Sequence, residues 1–290
     1  MKIATAPVNW NNKDVRGYRD WTPYPQIIDE MTKAGYSFTE WDKSMAQEPD
    51  RMRGDLKARG LGIVGGFVEV DFRTSAKRDS EIARALEIGR FLNSIGGGYV
   101  VTADSGDSRR LQEAGHVDPA GGLTDDQWKT FGEGLNELGK SLGNEGIRLV
   151  FHNHVGTYVE TESEIERFLA VTNTDHVSWC LDSGHVTYGG GDTLRLLTKH
   201  GHRVGYVHLK DVDGAVLDRS RAGNWSFEKA LQQFIFPPLG DGIARVPEVL
   251  GTLKQAGYDG WIVIEQDTTP LDPTENAERN RIYLEKLLES

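Results

Sequence analysis

This 290-residue chain carries 44 Asp and Glu against 33 Lys and Arg, a formal net charge of −11. An acidic chain without a Lys/Arg stripe is a poor match for nucleic acid or an anionic membrane, and it holds no run of about 18 apolar residues to span a bilayer. The start, Met1–Trp10, lacks an export signal's apolar core, and the single cysteine, Cys180, rules out an internal disulfide, so the expected location is the cytoplasm.

Short apolar runs alternate with longer amphipathic stretches from end to end. A strand is expected over Ile3–Val8, then a helix over Pro25–Gly35, where apolar residues recur at helical spacing. A strand at Tyr36–Trp41 is followed by a polar helix to about Arg59, a strand at Leu61–Val70 and a helix over Ser80–Asn93. In that helix Ile82, Ala85, Leu86, Ile88 and Leu92 share one face. Tyr99–Thr102 is the next strand. Asp125–Leu142 reads as a helix capped by Thr124, Arg148–His152 as a strand, and Thr161–Val171 as a helix that Thr161 caps. Val177–Asp182, Val204–Leu209 and Trp261–Glu265 complete the strands, with helices at Thr193–His200, Val246–Ala256 and about Glu275–Leu288. The final helix, with Ile282, Leu284, Leu287 and Leu288, can pack on the barrel or on a second copy, so a homo-oligomer stays open. Asp213–Asp241 lacks clear periodicity and is expected as a long loop or short helix over the barrel mouth.

Eight alternating βα units of this length favour a single (β/α)8 TIM barrel spanning residues 1–290 over a doubly wound sheet. Such barrels place their chemistry at the C-terminal ends of the strands. Four consecutive strands end in ligand-type side chains: Phe151-His152-Asn153-His154, Leu181-Asp182-Ser183-Gly184-His185, His208-Leu209-Lys210-Asp211 and Ile264-Glu265-Gln266-Asp267. Each cluster follows an apolar run, so its polar groups are half-buried or buried and need partners. Carboxylates and imidazoles converging at one mouth suit a divalent ion such as Mn, Co, Fe or Zn. No phosphate-binding G-x-G-x-x-G and no G-x-S-x-G elbow occurs. Gly96–Gly98 and Gly189–Gly191 read as turns, and mid-strand Cys180 as wall packing rather than a nucleophile.

The order D-S-G-H at Asp182–His185, H-L-K-D at His208–Asp211 and I-E-Q-D at Ile264–Asp267 resembles the xylose isomerase-like barrels of the sugar isomerase and epimerase group, over essentially the whole chain. Within that group, Asn9–Asp14 (N-W-N-N-K-D), His152–Thr161 (H-N-H-V-G-T-Y-V-E-T), Leu239–Gly242 (L-G-D-G) and Glu265–Asp267 (E-Q-D) are similar to the inosose (2-keto-myo-inositol) dehydratase branch. The resemblance implies a divalent metal, Mn or Co first, with Mg, Fe or Zn as others. Its ligands would be Asp182, His208, Glu265 and, where many relatives carry Glu, His152. The alternative is three protein ligands with water in the fourth place.

Two carboxylates and two imidazoles carry −2, so a divalent ion leaves a neutral set and a stronger Lewis acid toward a ketone than three carboxylates would. Losing one of two proton-shuttling carboxylates points to elimination rather than epimerisation. The expected roles are Glu265 or a neighbouring group as base and His154 or His185 as proton donor to the leaving hydroxyl. Trp10, Glu40, His185 and Lys210 are the expected substrate contacts, and Glu160 and Asp267 supporting or helix-capping groups. Lys210 shares the inward face of its strand with His208, two residues before it. With no phosphate-cradling loop and no evident Arg/Lys cluster at the mouth, the expected substrate is a neutral keto-polyol or keto-sugar. The rivals are a keto-sugar isomerase or epimerase and a 3-keto-glycoside lyase of the same fold, the latter with or without a partner subunit. From other classes, a sugar-binding barrel and a metal-dependent endonuclease compete. The intact ligand set counts against the first and the charge of −11 against the second.

Overall fold

The computed structural model describes residues 1–15 and 17–289. Eight parallel strands close on themselves in chain order: β1 (Lys2–Thr5), β2 (Phe38–Trp41), β3 (Gly62–Val70), β4 (Tyr99–Asp104), β5 (Arg148–His152), β6 (Val177–Asp182), β7 (Val204–Leu209) and β8 (Trp261–Ile264), with β8 pairing back onto β1. The chain is a (β/α)8 barrel. Its outer ring comprises helices Tyr24–Lys33, Pro49–Arg59, Arg78–Ser94, Asp125–Gly143, Glu162–Val171, Thr193–His200, Val246–Gln255 and Pro273–Glu289. No helix among the described residues is long and apolar enough to cross a membrane.

Two apolar layers hold this shell together. The outward faces of the strands (Phe151, Trp179, Leu181, Val207, Ile262) pack on helix residues such as Phe131, Leu135, Phe168 and Leu250. Inside the barrel, Ala4, Val64, Val101, Val150, Cys180, Tyr206 and Val263 form a separate cluster. Cys180 is fully buried, and burial pushes its thiol up to about 11, as wall packing requires. That inner layer sets the site's position. Side chains alternate along a strand, so the residue two positions beyond each inward apolar one points into the barrel a layer higher. Val150 leads to His152, Cys180 to Asp182, Tyr206 to His208 and Val263 to Glu265.

The helix starts follow their caps. Thr124 and Gln127 form a reciprocal capping box, as do Thr161 and Glu164, each worth about 1 kcal/mol. The first strand ends at Thr5 rather than Val8, because Pro7 cannot donate to a ladder and opens a short 3-10 turn over Pro7–Asn9. The stretch expected as a long loop or short helix, Asp213–Asp241, contains two short helices, Gly214–Ala222 and Phe227–Gln232, started by the side chains of Asp213 and Ser226. Their buried Val216, Leu217, Phe227, Ala230 and Leu231 join Tyr188, Ile235 and Phe236 in a small core of their own above the barrel. The H-L-K-D and L-G-D-G motifs are two halves of one turn there. Asp211 accepts hydrogen bonds from the backbone of Val212, Gly240, Gly242 and Ala244, and a Cβ at Gly242 would lie 2.3 Å from its carboxylate.

Candidate metal centre

His152, Asp182, His208 and Glu265 each offer a ligand-type atom within 4.8 Å of the other three, and all four are buried. Asp182 is fixed from two sides. Its Oδ1 accepts from the His185 backbone N–H at 2.8 Å, capping the short helix Ser183–Tyr188, while Oδ2 lies 3.2 Å from His152 Nε2 and 3.0 Å from Lys210 Nζ. Burial opposes its charge, but the Lys210 ammonium and the His152 contact prevail and hold the carboxyl down at about 2. Behind it Asn153, pointing outward between two inward histidines, accepts from the Trp179 indole and the Asp182 backbone N–H and locks β5 to β6.

His208 Nε2 meets Glu40 Oε1 at 2.8 Å, whereas Nδ1 is buried, 3.1 Å from Glu265 Oε2 and without a hydrogen-bond partner. Burial works against a charge on His208, yet the groups around it raise its pKa well above the usual histidine value. Cys180 is an uncharged thiol, so Glu265 and Glu40 are the operative anions. Lys210 Nζ bonds Asp182 and Glu265 and lies 3.4 Å from Asp267 Oδ1, which has no hydrogen-bond partner. Burial pushes Asp267 up to about 7, helped by Glu265 and Asp182 and opposed by Lys210. The donor set fits a divalent ion on two counts. It offers two imidazoles and two carboxylates at one point, and each imidazole has a buried nitrogen, Nδ1, without a hydrogen-bond partner.

Three of the four, His152, His208 and Glu265, lie at the floor of a cavity of about 650 Å3, with Asp182 buried behind them. His152, His208, Lys210, Glu265, Glu40, His154 and Asp267 all reach it, and its walls rise over β1–β3 to Trp21, Trp41 and Phe67. Two expected contacts lie elsewhere. Trp10 is buried with its indole N–H on Glu30 Oε2 at 2.7 Å and does not reach the cavity. His185 lies behind His154, ring centroids 3.9 Å apart, among Phe227 and Phe236, and is not part of the lining. The N-W-N-N-K-D loop works differently from its expected role. Asn9 ties β1 to β8 through Thr5 Oγ1, the Ile264 carbonyl and the Gln266 N–H, and so delivers Lys13 and Asp14 rather than Trp10 to the cavity. Asp267 and Trp21 join the lining as well. Asp267's place follows from the period of two past Glu265, while no local pattern marks Trp21. Glu160 is structural, accepting from the Gly115 and Gly156 backbone N–H groups.

The two histidines named as proton donors are neutral here. Burial holds His154 down at about 3 and His185 well below its usual value. A carbonyl only accepts, so the 2.6 Å contact to the Val155 carbonyl places a proton on His154 Nδ1 and leaves Nε2 as an acceptor. This has a consequence for stability. The folded-state pKa of His154 lies below the unfolded value of 6.5, so its contribution is intact above pH 6.5 and is lost as pH falls toward 3. By pH 5 the loss is expected to reach about 2 kcal/mol. Urea unfolding at pH 7 and pH 5 should show a smaller difference in His154→Gln than in the wild type; an unchanged difference would refute the assignment.

A family model described as a xylose isomerase-like TIM barrel matches residues 28–287. The inosose dehydratase of Geobacillus kaustophilus is 31% identical over 295 residues, covering 99% of this chain and 95% of that protein. The rhizopine catabolism protein MocC of Rhizobium meliloti is 34% identical over 271 residues, 93% of this chain and 82% of its own. Among solved structures, the probable 3-DHS dehydratase AsbF of Bacillus anthracis superposes with a TM-score of 0.75 at 15% identity, covering 98% of this chain and 99% of that one. An L-ribulose 3-epimerase superposes at 0.73 and 15%, covering 100% and 95%. At such identities the structural likeness speaks for the fold.

Proposed function

We propose that this chain, which belongs to the xylose isomerase-like TIM barrel family, is a hydro-lyase that removes water from a neutral cyclic keto-polyol such as 2-keto-myo-inositol, as inositol breakdown requires. The observation that carries this reading is the donor set of two imidazoles and two carboxylates, His152, Asp182, His208 and Glu265, of which His152, His208 and Glu265 reach the floor of the cavity. These four would hold a divalent ion, Mn or Co first, and the ion would supply Lewis-acid polarisation of the substrate ketone.

The chain's own groups divide the remaining work. Lys210 Nζ, anchored by Asp182 and Glu265, presents positive charge where an enolate oxygen develops. Glu265 takes the α-proton. His154 Nε2 accepts a hydrogen bond from a ring hydroxyl and orients it, since Nδ1–H is committed to Val155. The neutral imidazole of His154 therefore holds substrate rather than donates a proton, which shifts the acid role from His154 and His185 to Asp267, whose carboxyl burial pushes up to about 7 beside Lys210. The aromatic and aliphatic wall of Phe67, Val68, Trp41 and Pro7 thins water around the reacting carbon.

The test is incubation with 2-keto-myo-inositol and Mn2+ or Co2+, followed by the ultraviolet absorbance of the enolised dione. Dialysis against a chelator is expected to abolish the signal and readdition to restore it. Without substrate, ion at 100 times its Kd should stabilise the fold by about 2.7 kcal/mol, read as a rise in Tm; no rise would remove the metal from the proposal. A second reading is a keto-glycoside lyase. It is favoured by a cavity larger than one six-carbon ring fills and by Trp21, 56% exposed at its rim, where a second ring can stack. Turnover of a 3-keto-glucoside with no signal from 2-keto-myo-inositol would select it.

A further inference from the structure

We infer that Glu40 is a positioning residue for the ion: from β2 it holds the His208 ring with Nε2–H on its own carboxylate and so dedicates Nδ1 to the ligand set. This inference rests on reading His152, Asp182, His208 and Glu265 as the metal site. Glu40 and His208 lie 168 positions apart in sequence and meet across the barrel at 2.8 Å, both at most 2% exposed. A carboxylate accepts and does not donate, so the nitrogen facing it carries the proton. The other nitrogen, His208 Nδ1, is the buried atom without a hydrogen-bond partner beside Glu265, and it is the one that gives up its proton when an ion binds. Partners of this kind fix the tautomer and orientation of a ligating imidazole and raise its basicity. Among the described residues, His208 is the one basic side chain within ion-pair distance of Glu40.

The placement also bears on charge. With His152 in the first ligand position, the four ligands carry −2. Glu40 adds a third negative charge one side chain further out, where it strengthens the imidazole without taking a coordination position. Lys210 balances one of the three. Because Glu40 also lines the cavity, a direct substrate contact is the competing role, and the two roles predict different measurements.

The test uses Co2+ as the probe on metal-free protein. Glu40→Ala is expected to weaken Co2+ binding 10- to 100-fold by calorimetry. Glu40→Gln keeps an acceptor oxygen and should lose less. In the proton spectrum of the Co2+-loaded wild type, one paramagnetically shifted exchangeable imidazole N–H, absent in His208→Ala, is expected to persist in water. It should be retained in Glu40→Gln and lost to exchange in Glu40→Ala. Wild-type Co2+ affinity in both Glu40 variants, with the signal kept and only KM raised, would overturn the inference in favour of substrate contact. Should Glu40→Ala not fold, Glu40→Gln decides: unchanged affinity together with an exchange rate equal to the wild type's overturns it. Wild-type affinity in His208→Ala would instead sink the metal-site reading itself.

Discussion

His152→Ala is expected to strip the protein of its ion and of turnover together, weakening Co2+ or Mn2+ binding by more than about 100-fold, beyond what losing an outer partner costs. The ring is 2% exposed and 3.2 Å from Asp182, which also holds Lys210. Truncation therefore removes a ligand and leaves two carboxylates and one imidazole around a vacated space. Calorimetry reports the affinity, and the dione absorbance reports turnover. If bound metal and activity both survive, His152 is no ligand and water fills the fourth place. His152→Glu is the more informative partner. It restores the carboxylate that many relatives carry at this position, so it should bind the ion well. It also returns the second proton-shuttling carboxylate, so solvent deuterium should enter the α-position of unreacted substrate faster while dehydration slows. A variant that dehydrates as fast as the wild type would remove the argument from ligand charge.

The four clustered positions are legible because each follows an inward apolar residue by two: Val150 to His152, Cys180 to Asp182, Tyr206 to His208, Val263 to Glu265. A period of two and barrel topology suffice to aim these side chains at one point. The same rule names Lys210 and Asp267. It fails for groups whose place is set by loops. Trp10 lies past Pro7, where the strand has ended, and the turn carries it to Glu30 instead of the mouth. His185 sits on the helix that Asp182 caps, so its direction follows from that helix rather than from β6. Glu40 is expected as a substrate contact and does line the cavity, but its partner on β7 becomes visible only when the barrel closes. Within Asp213–Asp241 a short helix is expected, but that there are two, and where each begins, is not legible, because their apolar residues meet a local core that the sequence pattern does not display.

Lys210→Met separates the two functions that meet at the cavity floor, because its effects on binding and on turnover have opposite signs. The ammonium is buried and shared by Asp182, Glu265 and Asp267. In the metal-free variant these acids lose the one cation that all three share, a loss that typically costs 3–5 kcal/mol when one member of a buried pair is removed. Urea unfolding of the metal-free variant should show that loss at neutral pH, and added Co2+ should recover most of it by supplying the missing charge. Lys210 competes with the ion for the same carboxylate oxygens, so Co2+ affinity should rise in the variant. Turnover should nevertheless fall by about 10²–10³ in kcat, the usual consequence of deleting one donor to a developing oxyanion. Tighter metal with slower chemistry is a combination that a merely damaged fold does not give. Weaker Co2+ binding, or an unchanged kcat, would show that Lys210 serves as a structural tether of the strand ends, and the oxyanion role would pass to another group.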